Sequence, residues 1–156
     1  MLKYFNYDIV FQEVPDEVTL AINISNCPNH CKGCHSPWLQ EDKGEILNKE
    51  SLITIVKKYI NDITCVCFMG GDNDVVSVED LSNVIHSTFQ DKKTAWYSGK
   101  ESLPNNISIN SFDYIKIGGY KQEYGSLKSK TTNQRLYKID RINSNKEDIT
   151  YRFWKK

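Results

Sequence analysis

Three thiols, Cys27, Cys31 and Cys34, crowd into the stretch Ser25-Asn26-Cys27-Pro28-Asn29-His30-Cys31-Lys32-Gly33-Cys34-His35. Ligands this close in sequence make a metal or cluster loop, and soft sulfur donors favour zinc or iron-sulfur centres over hard cations. The chain has five cysteines, an odd number with three of them clustered, which fits ligation better than a disulfide framework. Structural zinc normally completes four protein ligands through paired C-x2-C motifs or a downstream H-x3-5-H, and neither is present. A zinc knuckle would have to recruit His35 or another thiol, and His35 is adjacent to Cys34, where two neighbours rarely reach one tetrahedral ion. A four-iron cluster held by three cysteines keeps one iron without a protein ligand, a place for a substrate or cofactor.

Elements must deliver that loop. Val18 to Ile24 is rich in β-branched residues and reads as the first core strand, running straight into the cysteines. Lys3 to Phe11 alternates weakly and is followed by the turn Glu13-Val14-Pro15-Asp16-Glu17, which makes an opening hairpin. A helix is expected from about Lys49, with Leu52, Ile53, Val56, Tyr59 and Ile60 at helical spacing. Ile63 to Met69 reads as a buried strand ending at Gly70-Gly71-Asp72. Ser77 then opens a second helix as N-cap, with Asp80 in the capping-box position. Thr94 to Tyr97 is a third strand ending at Ser98-Gly99, and Tyr114 to Ile117 a fourth ending at Gly118-Gly119. The tail Ile149 to Lys156 alternates, which suggests an edge strand or a docking surface.

Strand, helix, strand, helix, strand implies parallel pairing with right-handed crossovers, and ligands bind at the carboxyl ends of such strands. The cysteine loop and the three glycine-containing loops would share one rim. The chain is too short for eight βα units. The expected fold is therefore α/β, a partial, open (β/α) barrel with mostly parallel strands, formed by one domain over residues 1–156.

Each feature also has a plainer reading. A double glycine after a strand can be a sharp turn, a serine there a turn hydroxyl, and a strand lysine such as Lys116 a solvent-facing charge. Cys65 and Cys67 stand two apart in a strand, point the same way, and read as buried core thiols. His86 falls on the second helix.

The cysteine loop resembles the cluster signature of the radical S-adenosylmethionine (SAM) superfamily. Gly33 stands where many members carry an aromatic residue before the third cysteine. The Asp113 to Gly125 stretch, followed by Thr131-Thr132-Asn133-Gln134-Arg135-Leu136-Tyr137, resembles the C-terminal region of the anaerobic ribonucleoside-triphosphate reductase activating proteins, a glycyl-radical activase branch. The blocks fall in the same order through most of positions 11 to 140. The resemblance implies a [4Fe-4S] cluster on Cys27, Cys31 and Cys34 whose open iron takes the amino and carboxylate groups of SAM. Gly70, Gly71 and Asp72 stand where the family has Gly-Gly-Glu holding the SAM amino group. Ser98 would lie near the SAM ribose or carboxylate, and Lys116 would pair with the carboxylate. Arg135 is assigned equally to loop anchoring and to partner contact, Trp38 either to lining the pocket or to covering the apolar base of the barrel, and His35 receives no role.

It also implies the chemistry. An external reductant such as flavodoxin supplies one electron, SAM is cleaved to methionine and a 5'-deoxyadenosyl radical, and the radical removes a hydrogen from a glycine of the partner reductase. A chain this short has little beyond its core to enclose a bulky metabolite, which favours a macromolecular substrate. Another radical SAM enzyme, acting on a peptide or small molecule, is the next reading, and a zinc-binding interaction module the third.

The remaining composition is mostly exclusion. Twenty basic and twenty acidic residues cancel, so nothing argues for bulk attraction to nucleic acid or an anionic membrane. No run approaches a membrane span and Met1-Leu2-Lys3-Tyr4-Phe5 lacks the layout of a secretion signal, so the expected compartment is the cytoplasm.

Overall fold

Hydrophobic alternation in the first residues produces a long strand, β1 (Leu2–Val10), which turns through Pro15 and pairs antiparallel with β2 (Thr19–Ile24). These come from a computed structural model that describes residues 2–25 and 44–154. A short strand, β3 (Glu45–Leu47), lies antiparallel on the outer side of β1. Helix α1 (Lys49–Lys58) starts at Asn48, whose side chain accepts from the Ser51 N–H while the Ser51 hydroxyl accepts from the Asn48 N–H. That reciprocal cap satisfies two otherwise orphan donors. Next come β4 (Cys65–Met69), α2 (Val75–Thr88), β5 (Lys93–Tyr97), a 3-10 turn at Ile109–Ser111, and β6 (Tyr114–Ile117). A final hairpin of β7 (Arg135–Asp140) and β8 (Asn145–Asp148) leads into a 3-10 turn, Thr150–Phe153.

The strands form one sheet in the order β3-β1-β2-β4-β5-β6-β7-β8. Only β2, β4, β5 and β6 run parallel; β1 and β3 on one side and β7 and β8 on the other join antiparallel. The expected partial, open (β/α) barrel with mostly parallel strands is therefore corrected to a mixed eight-stranded sheet with two α-helices among the described residues. The cause is local. After β5 the chain makes no full crossover helix, only the turn at Ile109–Ser111, and after β6 it doubles back as a hairpin instead of starting another βα unit. The β7–β8 turn is fixed by Asp140, whose carboxylate accepts the N–H groups of Ile142 and Asn143, an Asx turn.

Both helices pack on one face of the sheet. Leu52, Ile55 and Val56 of α1 and Val78, Leu81 and Ile85 of α2 bury against Leu20, Ile22, Val66, Phe68, Trp96 and Ile115. The other face carries a smaller core of Val14, Cys65, Cys67, Ala95, Tyr97, Tyr114, Leu136 and Ile149, with Leu127 and Phe153 packed on it. Helix α2 is capped three residues earlier than expected: Asp74, not Ser77, is the N-cap, and its carboxylate takes both the Ser77 N–H and the Ser77 hydroxyl. Among the described residues the tail is no strand either. Asp148 accepts from the N–H and hydroxyl of Thr150 and starts a 3-10 turn there.

Candidate cofactor site

The exits of β2, β4, β5 and β6 lie side by side on one edge because these strands are parallel neighbours. The first exit carries the chain to Ser25, which is buried and held by its N–H to the Lys3 carbonyl at 2.9 Å. Cys27, Cys31 and Cys34, with His30, His35 and Trp38, lie outside the described residues.

At the second exit, Gly70 and Gly71 both take positive φ, +113° and +91°. A Cβ on Gly71 would stand 2.4 Å from Val78 Cγ2, and one on Gly70 would stand 3.2 Å from the Ile24 carbonyl oxygen. The pair therefore does what only glycine allows: it turns left-handed while pressing the end of β4 against the end of β2 and the first turn of α2. Gly70 is tied on both sides, its N–H donating to the Tyr97 carbonyl at 3.0 Å and its carbonyl accepting from Trp96 Nε1 at 2.8 Å.

That turn presents Asp72 to the third exit. The Ser98 hydroxyl donates to Asp72 Oδ1 at 2.6 Å and the Gly99 N–H to Oδ2 at 2.8 Å. Ser98 is itself buried, and its N–H donates to the Lys116 carbonyl at 2.8 Å. Two of the expected site residues, Asp72 and Ser98, are thus in direct contact, and Ser98 is also bonded to the backbone of the third, Lys116.

The Lys116 side chain is buried on the face opposite α1 and α2. Its Nζ donates to the Gly118 carbonyl at 2.9 Å and to Gln134 Oε1 at 3.1 Å, and stands 5.4 Å from the centre of the Tyr97 ring. A cation over a ring face gains from the ring quadrupole. Gln134 was legible only as part of the Asn-Gln-Arg block; the signal that could have placed it is Gly118-Gly119, a double glycine that marks a close backbone approach. Asn133 Nδ2 donates to the Gly119 carbonyl at 3.0 Å, and Arg135 lies 3.6 Å from Asp148, an anchoring contact within the β7–β8 hairpin.

The two described cysteines are unsuited to ligation. Burial pushes the Cys65 thiol well up, and burial followed by the nearby Glu13 pushes Cys67 up against the opposing pull of Lys116. Since the thiolate is the metal ligand, both remain neutral thiols in the core; Cys67 Sγ packs 3.4 Å from Met69 Sδ. Among the described residues no group of three or more His, Cys, Asp or Glu side chains could hold a metal. The donor set that fits a cluster is the thiol trio of the segment after Ser25.

No helix among the described residues is long and apolar enough to cross a membrane. No curated protein and no solved structure matches the chain. A family model described as a 4Fe-4S single cluster domain matches residues 18–139, from the residue before β2 to the penultimate residue of β7. The match takes in the three clustered cysteines and all four parallel strands, and by it the chain belongs to the 4Fe-4S single cluster domain family.

Proposed function

We propose that this iron-sulfur protein is a radical SAM activating enzyme that generates a glycyl radical on an anaerobic ribonucleoside-triphosphate reductase. The observation that carries the reading is the C-x3-C-x2-C trio, inside the family match and following β2 in the sequence, the strand whose exit neighbours those that bear Asp72, Ser98 and Lys116. Cys27, Cys31 and Cys34 would hold three irons of the cluster and leave the fourth for SAM. When bound, the cluster supplies the single electron that SAM cleavage needs.

The chain's own residues bind and orient. Asp72, held by Ser98 and Gly99, offers a carboxylate to the SAM ammonium, and Lys116 offers an ammonium to the SAM carboxylate. Gly70 and Gly71 let the backbone approach closely. Tyr97 and Met69 keep the neighbouring face apolar, which strengthens both ion pairs by excluding water. The reductase would present its glycine at this edge, and an electron donor such as flavodoxin would serve the cluster. In this reading residues 1–156 act as one cytoplasmic domain.

Anaerobic reconstitution followed by SAM and dithionite tests it. Brown protein with about four irons and four sulfides that forms 5'-deoxyadenosine supports the reading; colourless protein with stoichiometric zinc sinks it. Adding the reductase and looking for a glycyl radical by electron paramagnetic resonance then separates an activase from a radical SAM enzyme acting on a peptide or small molecule.

A further inference from the structure

Trp96 is fully buried, its ring stacked on Phe112 with centroids 5.6 Å apart and planes at 26°. An indole has one donor and no acceptor, and a buried one has to find that donor a partner. Trp96 gives it to the Gly70 carbonyl, at 2.8 Å. This partner is not the residue on its own rung. Trp96 stands opposite Phe68 in the β4–β5 ladder, so the indole reaches two residues further, into the turn where the ladder has ended.

That turn needs a tether. Gly70 and Gly71 are both at positive φ, and glycine has more backbone freedom to lose than any other residue, so nothing in the pair itself selects one arrangement. Strand β5 selects it from outside. The Tyr97 carbonyl accepts the Gly70 N–H at 3.0 Å, and the Trp96 indole donates to the Gly70 carbonyl. The Asp74 N–H then donates to the Gly71 carbonyl at 3.0 Å. Because the indole lies in the core between the sheet and the two helices, it draws the Gly70 carbonyl towards that layer. In a trans peptide the carbonyl and the following N–H point in opposite directions. The Gly71 N–H is therefore turned away from α1 and α2.

We propose that Trp96 is the positioning residue of the Gly70–Gly71 turn, its indole fixing the peptide between the two glycines so that the Gly71 N–H faces a ligand at the rim as a hydrogen-bond donor. Resting on the function proposed above, this names the ligand as SAM, whose acceptors at the methionyl end are its carboxylate oxygens. It gives the buried face of β5 a task at the site alongside Ser98.

The test uses the full chain and two replacements at this position. Trp96→Phe keeps a ring against Phe112, and benzothienylalanine keeps the shape of tryptophan with sulfur in place of the N–H. Ile55→Val, a core truncation on α1, controls for lost stability. Without cluster or ligand, amide hydrogen exchange at Gly70 is followed by nuclear magnetic resonance. Both replacements should speed it about fivefold relative to the control, the scale of one hydrogen bond. In reconstituted protein, calorimetry then compares SAM with decarboxylated SAM. Both replacements should weaken SAM about fivefold and leave the decarboxylated analogue and the iron content unchanged, while Ile55→Val alters neither affinity. Gly70 exchange in the benzothienylalanine protein equal to the control, unchanged SAM affinity, or equal weakening of both ligands overturns the proposal. Wild-type protein that binds no SAM removes the proposed function instead, and the exchange arm still decides whether Trp96 holds the turn.

Discussion

The Ser98 hydroxyl reaches from the end of β5 to Asp72 Oδ1 at the end of β4, a 2.6 Å bond that fixes the carboxylate between two parallel strands. With the Gly99 N–H on the other oxygen, Asp72 has a donor on each side and a defined direction. Its position is thus set by the neighbouring loop and not by its own turn alone.

Ser98→Ala should therefore act through Asp72. Removing the hydroxyl is expected to lower stability by about 1 kcal/mol and, under the proposed function, to weaken SAM binding several-fold, while iron content stays unchanged. Urea unfolding and calorimetry read the two effects separately; unaltered SAM affinity would show that the pair is structural only.

Gly71→Ala tests the packing of the second exit. The new Cβ would meet Val78 Cγ2 at 2.4 Å in a backbone with φ +91°. Strain and overpacking together should lower stability by about 2 kcal/mol or more, read as a lower urea midpoint at constant slope. A midpoint within error of wild type would contradict the close approach.

The cysteines should divide cleanly by chemistry. Cys65 and Cys67, buried and neutral, should resist iodoacetamide in the native protein at neutral pH and react after denaturation. Cys67→Ala should keep its iron, whereas Cys27→Ala, Cys31→Ala and Cys34→Ala should each lose the cluster. Iron and sulfide analysis of the variants checks this, and a Cys31→Ala protein with full cluster content would remove the ligand assignment.

A pH dependence follows from Asp113, which lies 2.9 Å from His86 Nε2 and accepts the Thr94 N–H at 2.8 Å. Burial pushes its carboxyl up, but the His86 and Thr94 hydrogen bonds outweigh that and hold it below the ordinary carboxylate value. A depressed acid contributes stability above its unfolded pKa, about 3.9, and that contribution is lost as pH falls through the lower folded value. Acid titration of wild type and Asp113→Asn by thermal melting should show the variant losing less stability below about pH 4. Parallel acid curves would refute the assignment.

Much of the framework was legible. Strands β2, β4, β5 and β6 and the body of both helices follow from apolar runs and helical spacing, and the shared edge follows from their alternation. The opening hairpin of β1 and β2 was legible as well, but the outermost strands were not. Strand β8 is exposed throughout, Asn-Lys-Glu-Asp, and has no apolar face to announce it, while β3 has only three residues. Polar side chains also moved the boundaries: Asp74 outcompetes Ser77 for the α2 cap because it takes two of that residue's protons, and Asp148 curls the tail at Thr150. At the site, a strand lysine reads as a solvent-facing charge. Lys116 instead is buried and bonds Gln134, eighteen residues further on, at the start of a hairpin with little sequence signal.

At the opposite end of the parallel strands, Glu17 is buried and accepts from the hydroxyls of Thr64 and Tyr114 and from Lys93. Glu17 stands just before β2, Thr64 just before β4, and Lys93 and Tyr114 open β5 and β6. One carboxylate thus gathers the entries of all four parallel strands, so a single substitution there would loosen them together at the end remote from the glycine turns.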